Sequence, residues 1–385
     1  MNISVAKRLE GIGEYYFSKK LREIELLNQS GEPVINLGIG SPDMAPDAIV
    51  IVALHEESSK LNVHAYQNYK GVAPLREAMS SWYKKWYGVT LNAATEILPL
   101  IGSKEGIMHI CMTYLNEGDE ALIPNPGYPT YRSAVTLAGG KCIDYNLTEA
   151  GHWQPDFDAL EKLDLSKVKL MWVNYPHMPT GQAPTQELFE KLICFGKKHG
   201  ILICHDNPYS FILNEHPMSL LSVVGAKEVA IELNSLSKSH NMAGWRIGML
   251  CGAIERIEDV LRFKSNMDSG MFLPVQLAAV KALSLDEDWN KKLNKEYSQR
   301  REKVLELLDL LGCSFSKSQV GLFVWAKVPL QYASGYELSD KVLQAAKVFI
   351  TPGGIFGSQG DRYIRVSLCS NLTNLERAIR RIKTH

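Results

Sequence analysis

Residues 170–206 read LMWVNYPHMPTGQAPTQELFEKLICFGKKHGILICHD, and the way they divide decides the fold. Leu170–Val173 and Ile201–Cys204 are short, wholly apolar runs, the pattern of strands buried on both faces. Between them Thr185–His199 is amphipathic and closed by Gly200, which predicts a helix. Strand, crossover helix and strand make the unit of a parallel sheet. The same kind of apolar run recurs at Glu96–Ile101 and Glu120–Ile123, so the middle of the chain predicts an α/β layer with a mostly parallel sheet.

Beyond about residue 275 the grammar changes. Asp286–Leu311 is long, charged and amphipathic and stops at Gly312. Strand-like pieces follow at Gly321–Val328, Val348–Thr351 and Tyr363–Leu368, then a terminal helix over Asn374–Ile382. Two domains are expected: a large α/β domain over 46–275, and a smaller α+β domain from 1–45 with 276–385. No repeat and no Pro/Gly/Ser-rich linker interrupts the chain.

The 385 residues are 45% hydrophobic and 22% charged, which excludes disordered and collagen-like classes. Lys+Arg and Asp+Glu both number 42, and this balance argues against a nucleic-acid partner. The first residues, MNISVAKRLEGIGEYYF, hold no apolar core of signal-peptide length, and no segment approaches the roughly 18–20 apolar residues of a membrane span. Seven cysteines without a C-x-x-C pair predict buried free thiols and a cytoplasmic location. The ten histidines show no H-x-x-x-H or H-E-x-x-H spacing, so no metal is expected.

Four segments carry chemistry when taken together. In LPLIGSKEG (98–106) a strand ends at Gly102 and Ser103 is placed to cap a helix from Lys104, which would present backbone N–H groups to a phosphate. The same residues alone would also serve a plain strand-to-helix turn. In ILICHDNPYSFI (201–212), Asp206 follows an apolar strand at the sheet edge where α/β proteins bind ligands, and Tyr209 adds a hydroxyl. A helix-capping aspartate would look alike. In NSLSKSHNMAGWRIG (234–248), Lys238 stands among Ser235, Ser237 and small or apolar residues, unlike a solvated helix lysine. A desolvated lysine near another cation has the lowered pKa that Schiff-base chemistry needs, and Arg246 with the serines would complete a phosphate cup. In YIRVSLC (363–369), Arg365 lies mid-strand among apolar residues and needs an anion, either a substrate carboxylate or a structural partner.

Together these residues resemble the fold-type I, pyridoxal-phosphate-dependent aminotransferases of class I/II, from about residue 10 to the C-terminus. S-L-S-K-x-x-x-M-x-G-W-R-x-G carries most of the likeness. LPLIGSKEGI, NPGYPTY and NLGIGSPD look closest to the LL-diaminopimelate aminotransferase-like and aspartate/alanine aminotransferase-like members. The resemblance implies the cofactor pyridoxal phosphate, a homodimer, and amino-acid and 2-oxo-acid substrates. Lys238 would hold the cofactor as a Schiff base and shuttle a proton. Asp206 would keep the pyridine nitrogen protonated, and Tyr209 would bond the ring oxygen. Ser103 and Lys104 (through backbone N–H groups), Ser235, Ser237 and Arg246 would hold the phosphate, and Tyr128 would stack on the ring. Tyr66, in YQNYKG, would reach the neighbouring subunit's phosphate. Arg365, helped by the Gly40 backbone, would clamp the substrate carboxylate, and Tyr15 would face the substrate side chain.

One position departs from the family pattern. N-P-T-G is expected where NYPHMPTG stands, so Met178 takes the place of an asparagine beside the ring oxygen. A thioether cannot donate a hydrogen bond, and the Lys238 Schiff base is expected to hold its proton to higher pH. Whether Asn174 replaces the missing donor is open. A β-eliminating lyase on the same fold would use the same lysine. A non-catalytic cofactor-sensing regulator would need a DNA-binding region before the resemblance begins. Trp82, Tyr83 and Trp86 are expected to be packing residues, and His177 and His205 structural neighbours of the site.

Overall fold

The computed structural model describes residues 3–384 except Ser30 and Glu32; Met1, Asn2 and His385, at the ends of the expected small domain, lie outside the described residues. Its centre is a seven-stranded sheet: β1 (Ile97–Leu100), β2 (Glu120–Asn125), β3 (Lys141–Asn146), β4 (Val168–Val173), β5 (Leu202–Asp206), β6 (Ala230–Ser235) and β7 (Gly248–Gly252). The spatial order is β1-β7-β6-β5-β4-β2-β3, and β7 alone runs against its neighbours. The α/β expectation with a mixed, mostly parallel sheet is met. The helix between β4 and β5 spans Gln186–His199; the Thr185 hydroxyl accepts from Leu188 N at its start, and Gly200 closes it at φ 66°. Its buried face, Leu188, Phe189, Leu192 and Ile193, packs with Met171 and Ile203 of the sheet.

This arrangement gathers chemistry at one rim. Asp206 ends β5, Ser235 ends β6, Asn174 follows β4 and Gly102 follows β1, all at the carboxyl edge of the parallel strands. Because β7 is antiparallel, its first residue arrives there too: Gly248 pairs with both Leu100 and Ser235. A Cβ at Gly248 would stand 2.6 Å from Ser103 N and 2.8 Å from the Gly102 carbonyl carbon, so only glycine lets the strand pass this close.

The C-terminal third forms a second core. Phe323–Lys327, Tyr363–Ser367 and Thr351–Pro352 make a three-stranded antiparallel sheet, packed with the long helix Glu287–Leu310. The expected single strand over Val348–Thr351 is two: Val348–Phe349 pairs in parallel with Ile35–Asn36, and Thr351–Pro352 pairs with Tyr363–Ser367. The chain crosses from one pairing partner to the other at Ile350, and Pro352 has no N–H to extend the ladder. Trp82 and Tyr83 are core residues, as expected. All seven cysteines are free, but Cys194 is exposed and Cys142 and Cys369 are half-buried, so the expectation of uniformly buried thiols is corrected. Cys194 lies on the outer side of the helix Gln186–His199, away from the face that packs on the sheet. No helix is long and apolar enough to cross a membrane among the described residues.

Candidate active site

A cavity of about 660 Å³ opens at the carboxyl rim, and every site residue predicted above except Tyr66 lines it. Its floor begins at the turn after β1. Gly102, at φ 82°, is itself the cap of the helix Ser103–Tyr114, so Ser103 is the first helical residue and not the cap expected of it. The physical reason is backbone geometry: Gly102 stands at φ 82°, ψ 153°, outside helical space, and a Cβ there would also collide with the Arg246 guanidinium. Arg246 in turn sits in left-handed backbone, φ 58°, and donates through Nη1 to Ala243 O (2.8 Å). Ser235 Oγ lies 2.9 Å from Ser237 Oγ and 3.1 Å from Ile247 O. Free helix N–H groups, two hydroxyls and a guanidinium therefore converge on one spot, a receptor for a phosphate. Lys104 Nζ stands 4.6 Å over the Tyr15 ring, and burial, with Arg246 nearby, lowers its pKa.

Deeper in, Asp206 Oδ2 accepts from Tyr131 Oη (2.8 Å), while Oδ1 is buried without a hydrogen-bond partner among the described residues. Burial pushes the carboxyl up to about 6, against the opposing pull of the Tyr131 hydrogen bond and of His205. No helix starts at Asp206; a turn follows, so the capping reading is excluded. A buried carboxylate oxygen with nothing to accept from fits a protonated ring nitrogen. The Tyr209 ring meets Phe323 at 5.8 Å, and the Tyr128 ring meets Tyr131 edge-on at 5.6 Å. Burial raises both phenols, which stay neutral donors.

Lys238 lies on the single turn Leu236–Ser239 that follows β6. Its Nζ donates to Gly40 O (2.5 Å). Burial lowers its pKa; Cys369 acts in the opposite direction, and Arg365 and Arg246 reinforce the lowering. A buried lysine of lowered pKa suits Schiff-base formation.

Arg365 is 4% exposed and has no ion pair with any described residue. Nη2 donates to Gly38 O (2.8 Å), Nη1 meets Met178 Sδ (3.2 Å), and Nε has no partner. Rings surround it, with Phe323 at 3.8 Å and Phe356 at 4.6 Å from the guanidinium carbon. The structural salt bridge that sequence allowed is thus absent among the described residues. Asn174 is already engaged: Nδ2 donates to Asp206 O (2.5 Å), and Oδ1 accepts from Met178 N (2.8 Å).

Tyr66 is 92% exposed and outside its own cavity. Sequence reading passed over Tyr131, Phe323 and Phe356. Tyr131 lay inside NPGYPTY, three residues after Tyr128, and could have been flagged by helical spacing; the two phenylalanines carried no local signal. Glu105, His109 and Asp268 bring ligand-type atoms within 4.8 Å of one another, but the Lys264 ammonium sits 2.7 Å from Asp268 and supplies a cation there.

Comparison with known proteins agrees with this geometry. The family described as aminotransferase class I and II matches residues 32–382. The LL-diaminopimelate aminotransferase of Dehalococcoides mccartyi is 39% identical over 382 residues, covering 99% of this chain and 98% of the relative. That of Halothermothrix orenii is 39% identical over 380 residues, covering 98% and 97%. Substrate-bound BacF from Bacillus subtilis superposes with a TM-score of 0.94 at 35% identity, covering 100% of this chain and 98% of the other. A single mutant of the aspartate aminotransferase of Thermus thermophilus, 22% identical with a TM-score of 0.92 and covering 100% of both chains, shares the fold. The chain belongs to the class I and II aminotransferases, and it is a pyridoxal-phosphate-dependent transaminase of fold type I.

Proposed function

We propose that this transaminase takes its amino group from an L-amino acid whose α-carboxylate binds Arg365, with Lys238 as the base. The observation that carries the reading is the buried Arg365 guanidinium, which borders the cavity that holds Lys238 and lacks any anionic partner among the described residues. The turn at Gly102, with Ser103, Lys104, Ser235, Ser237 and Arg246, would hold the phosphate, and Asp206 would meet the ring nitrogen. Tyr209 would bond the ring oxygen and Tyr128 would pack on the ring, and Met178, on the same cavity lining, could act as an acceptor only. When bound, pyridoxal phosphate supplies a carbon that condenses with amines and a ring that draws electrons away from it. Lys238, whose pKa burial lowers, takes the Cα proton and returns one to the cofactor side. Gly40 O accepts from Nζ and positions that amine in the cavity. Arg365 and the Gly40 backbone fix the substrate, and Tyr15 borders its side chain.

LL-diaminopimelate, which the names of several relatives state, is a candidate donor beside aspartate, glutamate and alanine. The protein is read as a homodimer in which Tyr66 reaches the neighbouring site. Its exposure, with that of Ile51 and Val52 on the preceding helix, supports a covered surface. Residues 46–275 are read as the large domain, and 1–45 with 276–385 as the small one. Free thiols at every cysteine favour a cytoplasmic setting. Adding single amino acids to cofactor-loaded enzyme without an oxo acid tests the reaction. One donor converts the visible band to that of the aminated cofactor. A band that persists with every amino acid, while a cysteine-type substrate releases pyruvate and ammonia, would instead favour an eliminating lyase.

A further inference from the structure

We infer that Tyr131 is a positioning residue for the transamination: its hydroxyl orients the Asp206 carboxylate and keeps the shared proton on the cofactor's ring nitrogen. The inference rests on the reading of Asp206 given above. Tyr131 Oη stands 2.8 Å from Asp206 Oδ2, and both side chains are buried. A phenol has one proton to give, and Asp206 is its acceptor. With Oδ2 occupied, Oδ1 is left unpartnered beside the cavity that both residues line.

The phenol cannot swing away. Its ring lies against Trp172 at 5.0 Å with an interplanar angle of 8°, and Tyr128 closes the other approach edge-on at 84°. The backbone is equally fixed, because Tyr131 lies in the first turn of the helix Pro129–Leu137 and its N–H bonds Tyr128 O (3.1 Å). The other groups around Asp206 do not replace this contact. Asn174 bonds the Asp206 backbone carbonyl, and His205, the preceding residue, gives its Nδ1 to Glu232 (2.7 Å). Tyr128 and Tyr209 line the same cavity without a hydrogen bond to the carboxylate.

A hydrogen bond to a carboxylate stabilises its ionised form. Tyr131 therefore lowers the proton affinity of Asp206, and the proton between Oδ1 and the ring nitrogen stays on nitrogen. Without the hydroxyl the carboxylate competes for it, and the ring draws electrons less strongly.

The test uses holoenzyme reconstituted with cofactor carrying an NMR-active isotope at its ring nitrogen. Tyr131→Phe removes one oxygen and keeps the ring on Trp172; thermal melting and cofactor content verify that the variant is folded and loaded. Its nitrogen resonance is expected to move toward the unprotonated value, with about a ten- to hundredfold loss in the ratio of ring-protonated to Asp206-protonated forms. Asp206→Ala serves as the reference and shifts the resonance fully. If Asp206→Ala moves the resonance and Tyr131→Phe does not, the inference is overturned while the reading of Asp206 stands. If Asp206→Ala leaves it in place, the reading of Asp206 itself fails, and Tyr131 loses its role with it.

Discussion

Two buried arginines, Arg300 and Arg365, are solvated in opposite ways. Arg300, 2% exposed, donates to Asp43 (2.6 Å), to Glu296 (3.0 Å) and to Leu368 O (3.1 Å). Two carboxylates answer one guanidinium, and the site is complete. Arg365, 4% exposed, has a carbonyl, a thioether and aromatic faces, with Nε left over. A buried cation without its counter-charge costs stability, and such a cost persists where a ligand supplies the missing anion. Burial alone does not mark a functional arginine; the unfilled donors do.

Substitutions can break this comparison. Arg365→Ala is expected to lose on the order of 2–5 kcal/mol in kcat/KM, mostly through KM, while the melting temperature holds or rises. Arg300→Leu is expected to do the reverse. It should cost about 3 kcal/mol of unfolding free energy by denaturant titration and leave KM for the amino donor near wild type. The stability loss stays at the low end of buried pairs because Asp43 and Glu296 are each about a third exposed and regain water.

Asp206 is the anionic counterpart of Arg365, and its pH dependence sharpens the contrast. Its carboxyl is raised from 3.8 to about 6 in the folded apoprotein, so the folded state holds a proton that the unfolded chain has lost. Stability therefore falls as pH rises from about 4 to about 6, and the loss remains above that. Apo Asp206→Asn should be more stable than wild type at neutral pH by up to about 3 kcal/mol, and the difference should vanish below pH about 4. Chemical denaturation across pH checks it. Equal stabilities at pH 7 would mean that the carboxylate is not held at a cost.

The smallest effect is expected at Met178. Its sulfur faces Arg365 and can only accept, while Asn174 already gives one N–H to Asp206 O and accepts from Met178 N. Met178→Asn should lower the midpoint of the cofactor's spectral pH titration by about one unit or less. An unmoved midpoint would remove Met178 from the electronics of the site.

Much of this was legible in the sequence, because it follows from local rules. Strand and helix lengths, Gly200 as a stop, and Lys238 among small hydroxyl residues are all read within a dozen positions. What escaped depends on distant meetings. The aromatic walls of Arg365 come from Phe323 and Phe356, which reach it only through the pairing of Phe323–Lys327 with Tyr363–Ser367 and the turn after Pro352. The division of Val348–Thr351 between two sheets depends on Ile35, more than 300 residues earlier. The reason position 102 must be glycine is also distant, since the guanidinium that fills the space of its Cβ, Arg246, comes from another strand connection.

Arg365 as an arginine waiting for a carboxylate is put to the test with a ligand that cannot react. Isovalerate, a carboxylic acid without an amino group, is titrated into cofactor-loaded enzyme and followed by the shift of the visible band. The account predicts saturable binding to wild type and to Arg300→Leu, and its loss in Arg365→Ala. Binding of equal strength to Arg365→Ala would contradict it.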